Sequence, residues 1–154
     1  MLSFAITHTG PVAVRYPREE AAQGESSPIV YGKSQQVVKG SKLAIVAVGT
    51  MLATAMEIAQ KLDIKPSVYN ARFIKPLDME LVAKLREYEH IITIEDGVRI
   101  GGFGMRLFEA VRSPSFHIFA FVDSFLETGT RQELLAKYKL DAESIALVCN
   151  KLLQ

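Results

Sequence analysis

Short runs of strand-forming residues, each followed by a stretch with helical spacing, constrain the fold of this chain more than any other feature. Leu43-Ala-Ile-Val-Ala-Val48 is apolar throughout, as a strand covered on both faces must be. Gly49-Thr50 then opens a helix with Thr50 as N-cap, and Met51, Ala55, Ala59 and Leu62, flanked by Leu52, Met56 and Ile58, give it a broad apolar face. The alternation repeats. Strand-forming Ser67 to Asn70 leads through Pro76 and a capping Asp78 to a helix over Met79 to Tyr88, and Ile91 to Ile94 leads through residues 95–104 to a helix ending near Arg112. Phe116 to Phe121 precedes two short helices, one opened by the capping box Thr130-Arg-Gln-Glu133 and the other by Asp141. This pattern predicts an α/β fold of three αβα layers around a mostly parallel sheet of about five strands. Gln35 to Val38 is separated from Leu43 by Lys39-Gly-Ser-Lys42, which suits a tight II′ hairpin and makes the first strand an antiparallel edge. Ile45, Val46, Ile92 and Ile94 are expected among the most sensitive core positions, each contributing about 1.5–3 kcal/mol when buried.

The N-terminal portion reads differently. Met1 to His8 has the character of the last turns of a helix, Gly10-Pro11 is a turn, and Val12 to Val14 suggests a short strand running into Arg15-Tyr-Pro-Arg18. Residues 19–33 collect Glu, Gln, Ser, Gly and Pro without periodicity, as a linker does. The expected organisation is a tail of a preceding domain over 1–18, a linker over 19–33 and one α/β domain over 34–154. A formal charge of +1 gives no general pull toward nucleic acid or anionic lipid, and no apolar run reaches the length of a membrane span. The single cysteine, Cys149, lies in an apolar helical pattern and reads as core; with no internal disulfide, a reducing, cytoplasmic setting is expected.

Several residues are candidates for chemistry. Arg72 and Lys75 fall on a strand-to-helix loop, where open α/β sheets meet ligands and partners, and are read as a site, a docking surface or solvated charges. Gly101-Gly-Phe-Gly104 could let backbone amides approach an anion at a helix start, but it lacks the dinucleotide-binding spacing and a Walker lysine, which favours close packing. Glu95 and Asp96 could serve as metal ligands or as an acid–base pair, yet neighbours on an extended chain point apart, so a solvated or interface role is expected. His8, His90 and His117 have no ligand spacing and no nucleophile elbow exists, so metal binding and hydrolysis find little support. Arg15 follows an apolar run directly; its guanidinium is suited to holding a phosphate, or to a surface salt bridge.

Taken in order, GPVAVRYPR (residues 10–18), VYNARFIKPLD (68–78), Glu95 with GGFG (101–104) and VDSFLETG (122–129) resemble the C-terminal part of the 1-deoxy-D-xylulose-5-phosphate synthases. The glycine cluster is shared more loosely with transketolases and 2-oxo-acid dehydrogenase β subunits. The resemblance implies a transketolase-type C-terminal domain of a thiamine-diphosphate- and magnesium-dependent, homodimeric enzyme. That enzyme decarboxylates pyruvate and joins the two-carbon unit to glyceraldehyde 3-phosphate, for isoprenoid and thiamine biosynthesis. Residues 1–18 would then be the tail of its pyrimidine-binding domain. Arg15 matches the family arginine associated with the acceptor phosphate, while Arg72, Lys75, Glu95, Gly101, Gly102 and Gly104 fall in regions of domain packing and subunit contact. The magnesium-diphosphate motif and the cofactor-activating glutamate belong to portions upstream, so this chain alone is expected to bind no cofactor or metal and to be inert, bracing the intact enzyme. Three positions depart from the family pattern: Glu19 stands for a glycine, Val122 for a proline and Thr128 for a histidine. A transketolase or dehydrogenase β-subunit domain, and a free-standing flavodoxin-like docking module, are the alternatives.

Overall fold

The computed structural model describes residues 1–16 and 27–154. Most of the expected linker, and Pro17 and Arg18 of the arginine motif, lie outside the described residues.

The predicted alternation is what forms. After α1 (Leu2–Thr7) come β1 (Gln35–Val38), β2 (Leu43–Ala47), α2 (Met51–Lys61), β3 (Ser67–Asn70), α3 (Met79–Leu85), β4 (His90–Val98), α4 (Phe103–Val111), β5 (Phe116–Phe121), α5 (Arg131–Lys137) and α6 (Ala142–Leu152). The sheet has five strands in the order β1-β3-β2-β4-β5. β2, β3, β4 and β5 pair in parallel, and β1 is an antiparallel edge on β3.

Alternation along the central strands divides the core. Leu43, Ile45, Ala47, Ile92 and Ile94 face α2, α5 and α6, while Ala44, Val46 and Ile91 face α3 and α4. Ile45, Val46, Ile92 and Ile94 have no exposed surface, as their positions in doubly covered strands require. Cys149 is buried on α6, and burial pushes its thiol up to about 11, so it is packing material and not a reactive group.

The local caps form where short polar side chains precede apolar runs. Asp78 accepts from the amides of Glu80 and Leu81, Thr130 and Glu133 make the full capping box, and Asp141 accepts from Ser144. Burial pushes the Asp78 carboxyl up, but hydrogen bonds from Ser34, Leu81 and Glu80 outweigh it and hold the group below the usual range.

Three expectations are corrected. β1 and β2 are not a hairpin: the chain crosses the N-terminal end of β3 between them. Gly40 is needed there because a Cβ would lie 2.0 Å from the Lys65 carbonyl oxygen, and its amide donates to Ser67 Oγ at 2.9 Å. Val12 to Val14 form no strand. Thr50 precedes α2 but makes no side-chain cap, because its hydroxyl is engaged elsewhere.

Residues 1–8 dock on the domain through rings. Phe4 stacks on His8 and Tyr31 and meets Phe73 edge-on at 5.5 Å, while Tyr31 meets Phe73 at 5.8 Å. Leu2 and Ile6 on the same helix remain exposed.

Candidate functional site at the sheet crossover

The strand order fixes where a ligand can be met. From β2 the chain moves outward to β3, then returns past β2 to place β4 on its other side. The crevice between the carboxyl ends of β2 and β4 is therefore the topological switch point of the sheet. Thr50 follows β2, and Glu95 and Asp96 stand near the end of β4.

These carboxylates lie at a local irregularity in β4. Ile94 pairs with Phe119 and Val98 with Phe121, so Glu95, Asp96 and Gly97 face the single residue Ala120. Such bulges re-aim side chains at the ends of strands. Glu95 turns inward and is 4% exposed; its Oε2 accepts from the Phe103 amide at 3.0 Å and its Oε1 from the Gly104 amide at 2.8 Å. The expectation of a solvated Glu95 is thereby corrected: burial is sustained by two amides at the positive end of α4.

The glycine cluster is explained by the same contact. A Cβ on Gly102 would lie 2.4 Å from the Val98 carbonyl oxygen and 2.8 Å from Glu95 Oε1, and one on Gly104 would lie 2.5 Å from Thr93 Oγ1. Gly101 takes φ +72 in the turn before α4, which glycine adopts without strain. The cluster packs a joint, and the anion at its helix start is the chain's own carboxylate.

Asp96 turns the other way, into the crevice. Its Oδ1 pairs with Arg15 Nη2 at 3.1 Å, and its Oδ2 accepts from Thr50 Oγ1 at 3.1 Å. Thr50 Oγ1 in turn accepts from Arg131 Nη2 at 2.9 Å, and that nitrogen also lies 3.3 Å from Met51 Sδ. Arg15 and Thr50 thus meet the carboxylate directly, and Arg131 is linked to it through Thr50. The Arg15 side chain is 71% exposed, against 27% for Asp96. Next to Asp96, Phe121, Leu126, Gly129, Leu134 and Leu135 line a shallow, mainly apolar depression. Arg15 thus stands at the crevice with most of its side chain exposed, paired to Asp96 through Nη2.

Arg72 and Lys75 lie elsewhere. Arg72 takes a left-handed φ of 57, and its guanidinium donates to the Pro28 carbonyl at 3.0 Å and to Ser27 Oγ and Gln35 Oε1. The group ties residues 27–35 to the sheet edge, so the partner that Arg72 engages is its own chain. Lys75 is exposed, and its bond to Pro76 is cis. Ser34 donates its amide and hydroxyl to Asp78 Oδ2 at 2.8 and 2.7 Å, which fastens the same segment to α3. Among the described residues, no group of three or more His, Cys, Asp and Glu could hold a metal ion, and no helix is long and apolar enough to cross a membrane.

Sequence reading singled out Arg15 and the 95–96 pair but not Thr50's hydroxyl or Arg131. Arg131 follows an N-cap, a position where arginine is unremarkable, and it meets Thr50 across 81 residues of chain. No local pattern carries that contact.

Comparison with known proteins accounts for most of the chain. The family described as transketolase, C-terminal domain, matches residues 32–145. A 1-deoxy-D-xylulose-5-phosphate synthase of Rhodopirellula baltica is 36% identical over 98% of this chain and 25% of its own length. The 1-deoxy-D-xylulose-5-phosphate synthase 2 of Geobacter sulfurreducens is 39% identical over 95% of this chain and 26% of its own length. The chain thus spans about a quarter of the curated relatives it matches. Among solved structures, an inactive β4 tetramer of a split-gene transketolase superposes with a TM-score of 0.74 at 31% identity, over 81% of this chain and 43% of that one. A Pichia stipitis transketolase variant shares the fold at a TM-score of 0.58 and 19% identity, over 78% of this chain and 18% of its own.

Proposed function

Because the chain belongs to the transketolase C-terminal domain family, we propose that it is the C-terminal portion of a 1-deoxy-D-xylulose-5-phosphate synthase, and that Arg15 contacts the phosphate of glyceraldehyde 3-phosphate in the intact enzyme. The observation that carries this reading is the exposed side chain of Arg15 at the switch-point crevice, paired through Nη2 with Asp96. A phosphate would take the outward donors in paired, charge-assisted hydrogen bonds. The described residues do not offer a metal site. Magnesium and thiamine diphosphate, which supplies the decarboxylation and carbon–carbon bond chemistry when bound, are assigned to the domains that precede this one.

On this reading residues 1–18 end the pyrimidine-binding domain, residues 19–33 link it to the transketolase-type domain over 34–154, and the enzyme is a cytoplasmic homodimer. The ring stack of Phe4, His8, Tyr31 and Phe73 supports a bracing role, since it clamps the preceding segment onto the domain. By itself the chain is catalytically silent. Lys75 and the surfaces beside Gly101 and Gly102 are left to face neighbouring domains or subunits.

The test is Arg15→Ala in the full-length enzyme. Loss of a charge-assisted contact worth about 1.5–3 kcal/mol raises KM for glyceraldehyde 3-phosphate by roughly ten- to a hundredfold. An unchanged KM would remove Arg15 from the phosphate site. The 31% identity to a split-gene transketolase favours one second reading, a transketolase domain. Turnover of a ketose phosphate donor in place of pyruvate would select it.

A further inference from the structure

We infer that Asp96 is the positioning residue for Arg15, and that the contacts of the α/β domain, through Thr50 and Arg131, thereby set the affinity of the site for its phosphorylated acceptor. This rests on the reading of Arg15 just given. The two oxygens of Asp96 divide the work: Oδ2 accepts from Thr50 Oγ1 at 3.1 Å, which fixes the carboxylate, and Oδ1 holds Arg15 Nη2 at 3.1 Å. Thr50 is fixed in turn by Arg131 Nη2 at 2.9 Å. Both Thr50 and Asp96 sit beside strands with fully buried cores, so the framework of the contact is rigid.

Among the described residues, the ion pair with Asp96 is the contact that holds the Arg15 side chain. Residues 11–16 form neither helix nor strand, and the side chain is mostly exposed. A long side chain on such a segment loses much rotamer freedom when an anion arrests it, and a prior contact reduces that loss. Asp96 also works against the anion by its charge. The balance falls to positioning because the phosphate can take the donors that Asp96 leaves outward, whereas an unheld guanidinium must be ordered from the start.

The experiment compares Asp96→Ala, Asp96→Glu and Asp96→Ala/Arg15→Ala in the full-length enzyme, with glyceraldehyde 3-phosphate and with unphosphorylated D-glyceraldehyde as acceptors. Asp96→Ala is expected to raise KM for the phosphorylated acceptor about five- to tenfold, the order of one arrested arginine side chain. The effect on D-glyceraldehyde should be absent, Asp96→Glu should recover part of the loss, and Asp96→Ala should add nothing once Arg15 is gone. Thr50→Val, which removes only the hydroxyl, should move KM in the same direction by less; it also serves if Asp96→Ala fails to fold. A KM for glyceraldehyde 3-phosphate that is unchanged or lowered by Asp96→Ala, while Arg15→Ala raises it, overturns the inference and leaves the phosphate reading standing. An equal rise with both acceptors, or in the Arg15→Ala background, reduces Asp96 to a structural residue. If Arg15→Ala itself has no effect, the phosphate reading fails and the inference falls with it.

Discussion

The start of α4 and the switch-point crevice are built around consecutive carboxylates, Glu95 and Asp96, and they use them in opposite ways. Glu95 points inward and meets only groups that the fold places permanently, the amides of Phe103 and Gly104. Asp96 points outward and meets side chains brought from residue 15 and, through Thr50, from residue 131. Successive side chains on an extended chain point to opposite sides, and this pair falls where the pairing of β4 with β5 becomes irregular after Ile94, at the mouth of the crevice. The glycine-rich helix start looks like a place for a bound phosphate, but its anion is already supplied by the protein. The crevice has an arginine whose side chain is mostly exposed. A seat that is filled internally contributes stability, whereas the proposed role of the crevice is to bind.

The largest expected effect would come from emptying the filled seat. Glu95→Ala leaves two amides at a buried helix end without their acceptor and removes a packed side chain, which should cost about 3 kcal/mol. Urea denaturation would show it as a lower midpoint with an unchanged slope. Glu95→Gln, which keeps one oxygen acceptor, should lose less. A shift below about 0.5 kcal/mol for the alanine variant would mean that the α4 start is not a closed joint, and the contrast with Asp96 would collapse.

Asp78 lies between the two extremes and brings pH into the comparison. It caps α3 with one oxygen and holds Ser34 with the other, and the hydrogen bonds outweigh burial to keep its folded pKa below the ordinary value. A depressed carboxyl pKa contributes stability that is fully present above the unfolded value of about 3.9 and is lost as pH falls through the folded value. Asp78→Asn should therefore destabilise by about 1–2 kcal/mol at neutral pH and approach the parent protein's stability below about pH 4. Chemical denaturation at a series of pH values measures this. A gap between the two proteins that stays constant into acid would show that packing, not the ionised cap, fastens residues 33–34 to α3.

How much of this was legible in the sequence depends on the distance over which each contact acts. The caps at Asp78, Thr130 and Asp141 are local and form where the spacing predicts, as do the strands and helices from residue 35 onward, whereas the strand expected at Val12 to Val14 does not. The pairing of β1 with β3 is not local, and Gly40, which reads as a turn glycine, is instead a close-approach glycine under the Lys65 carbonyl. Arg72 reads as a loop charge, but its partners lie at Ser27, Pro28 and Gln35, far back in the chain. For Arg15 the salt-bridge reading is observed, and the phosphate reading is a proposal. It is in a salt bridge, as a surface arginine often is, and it stands where an open sheet meets ligands. The convergence of Thr50, Asp96 and Arg131 has no signature along the chain, because a topological crossover makes it.

The smallest expected effect is the sharpest test of the comparison. The Arg15–Asp96 pair joins a side chain that is 71% exposed to one that is 27% exposed, and pairs so placed are screened by water and offset by side-chain ordering. Arg15→Ala should therefore change the unfolding free energy by less than about 0.5 kcal/mol. Asp96→Ala should cost slightly more, because it also strands the Thr50 hydroxyl. A double-mutant cycle on stability isolates the pair, and its coupling should lie within about 0.5 kcal/mol of zero, falling further in high salt. A coupling near that of a buried pair, about 3 kcal/mol or more, would make Arg15 a structural strut like Arg72 and end the distinction between a filled seat and an open one. Near-zero coupling in stability beside a many-fold change in acceptor KM would mean that Asp96 holds Arg15 for the ligand and not for the fold.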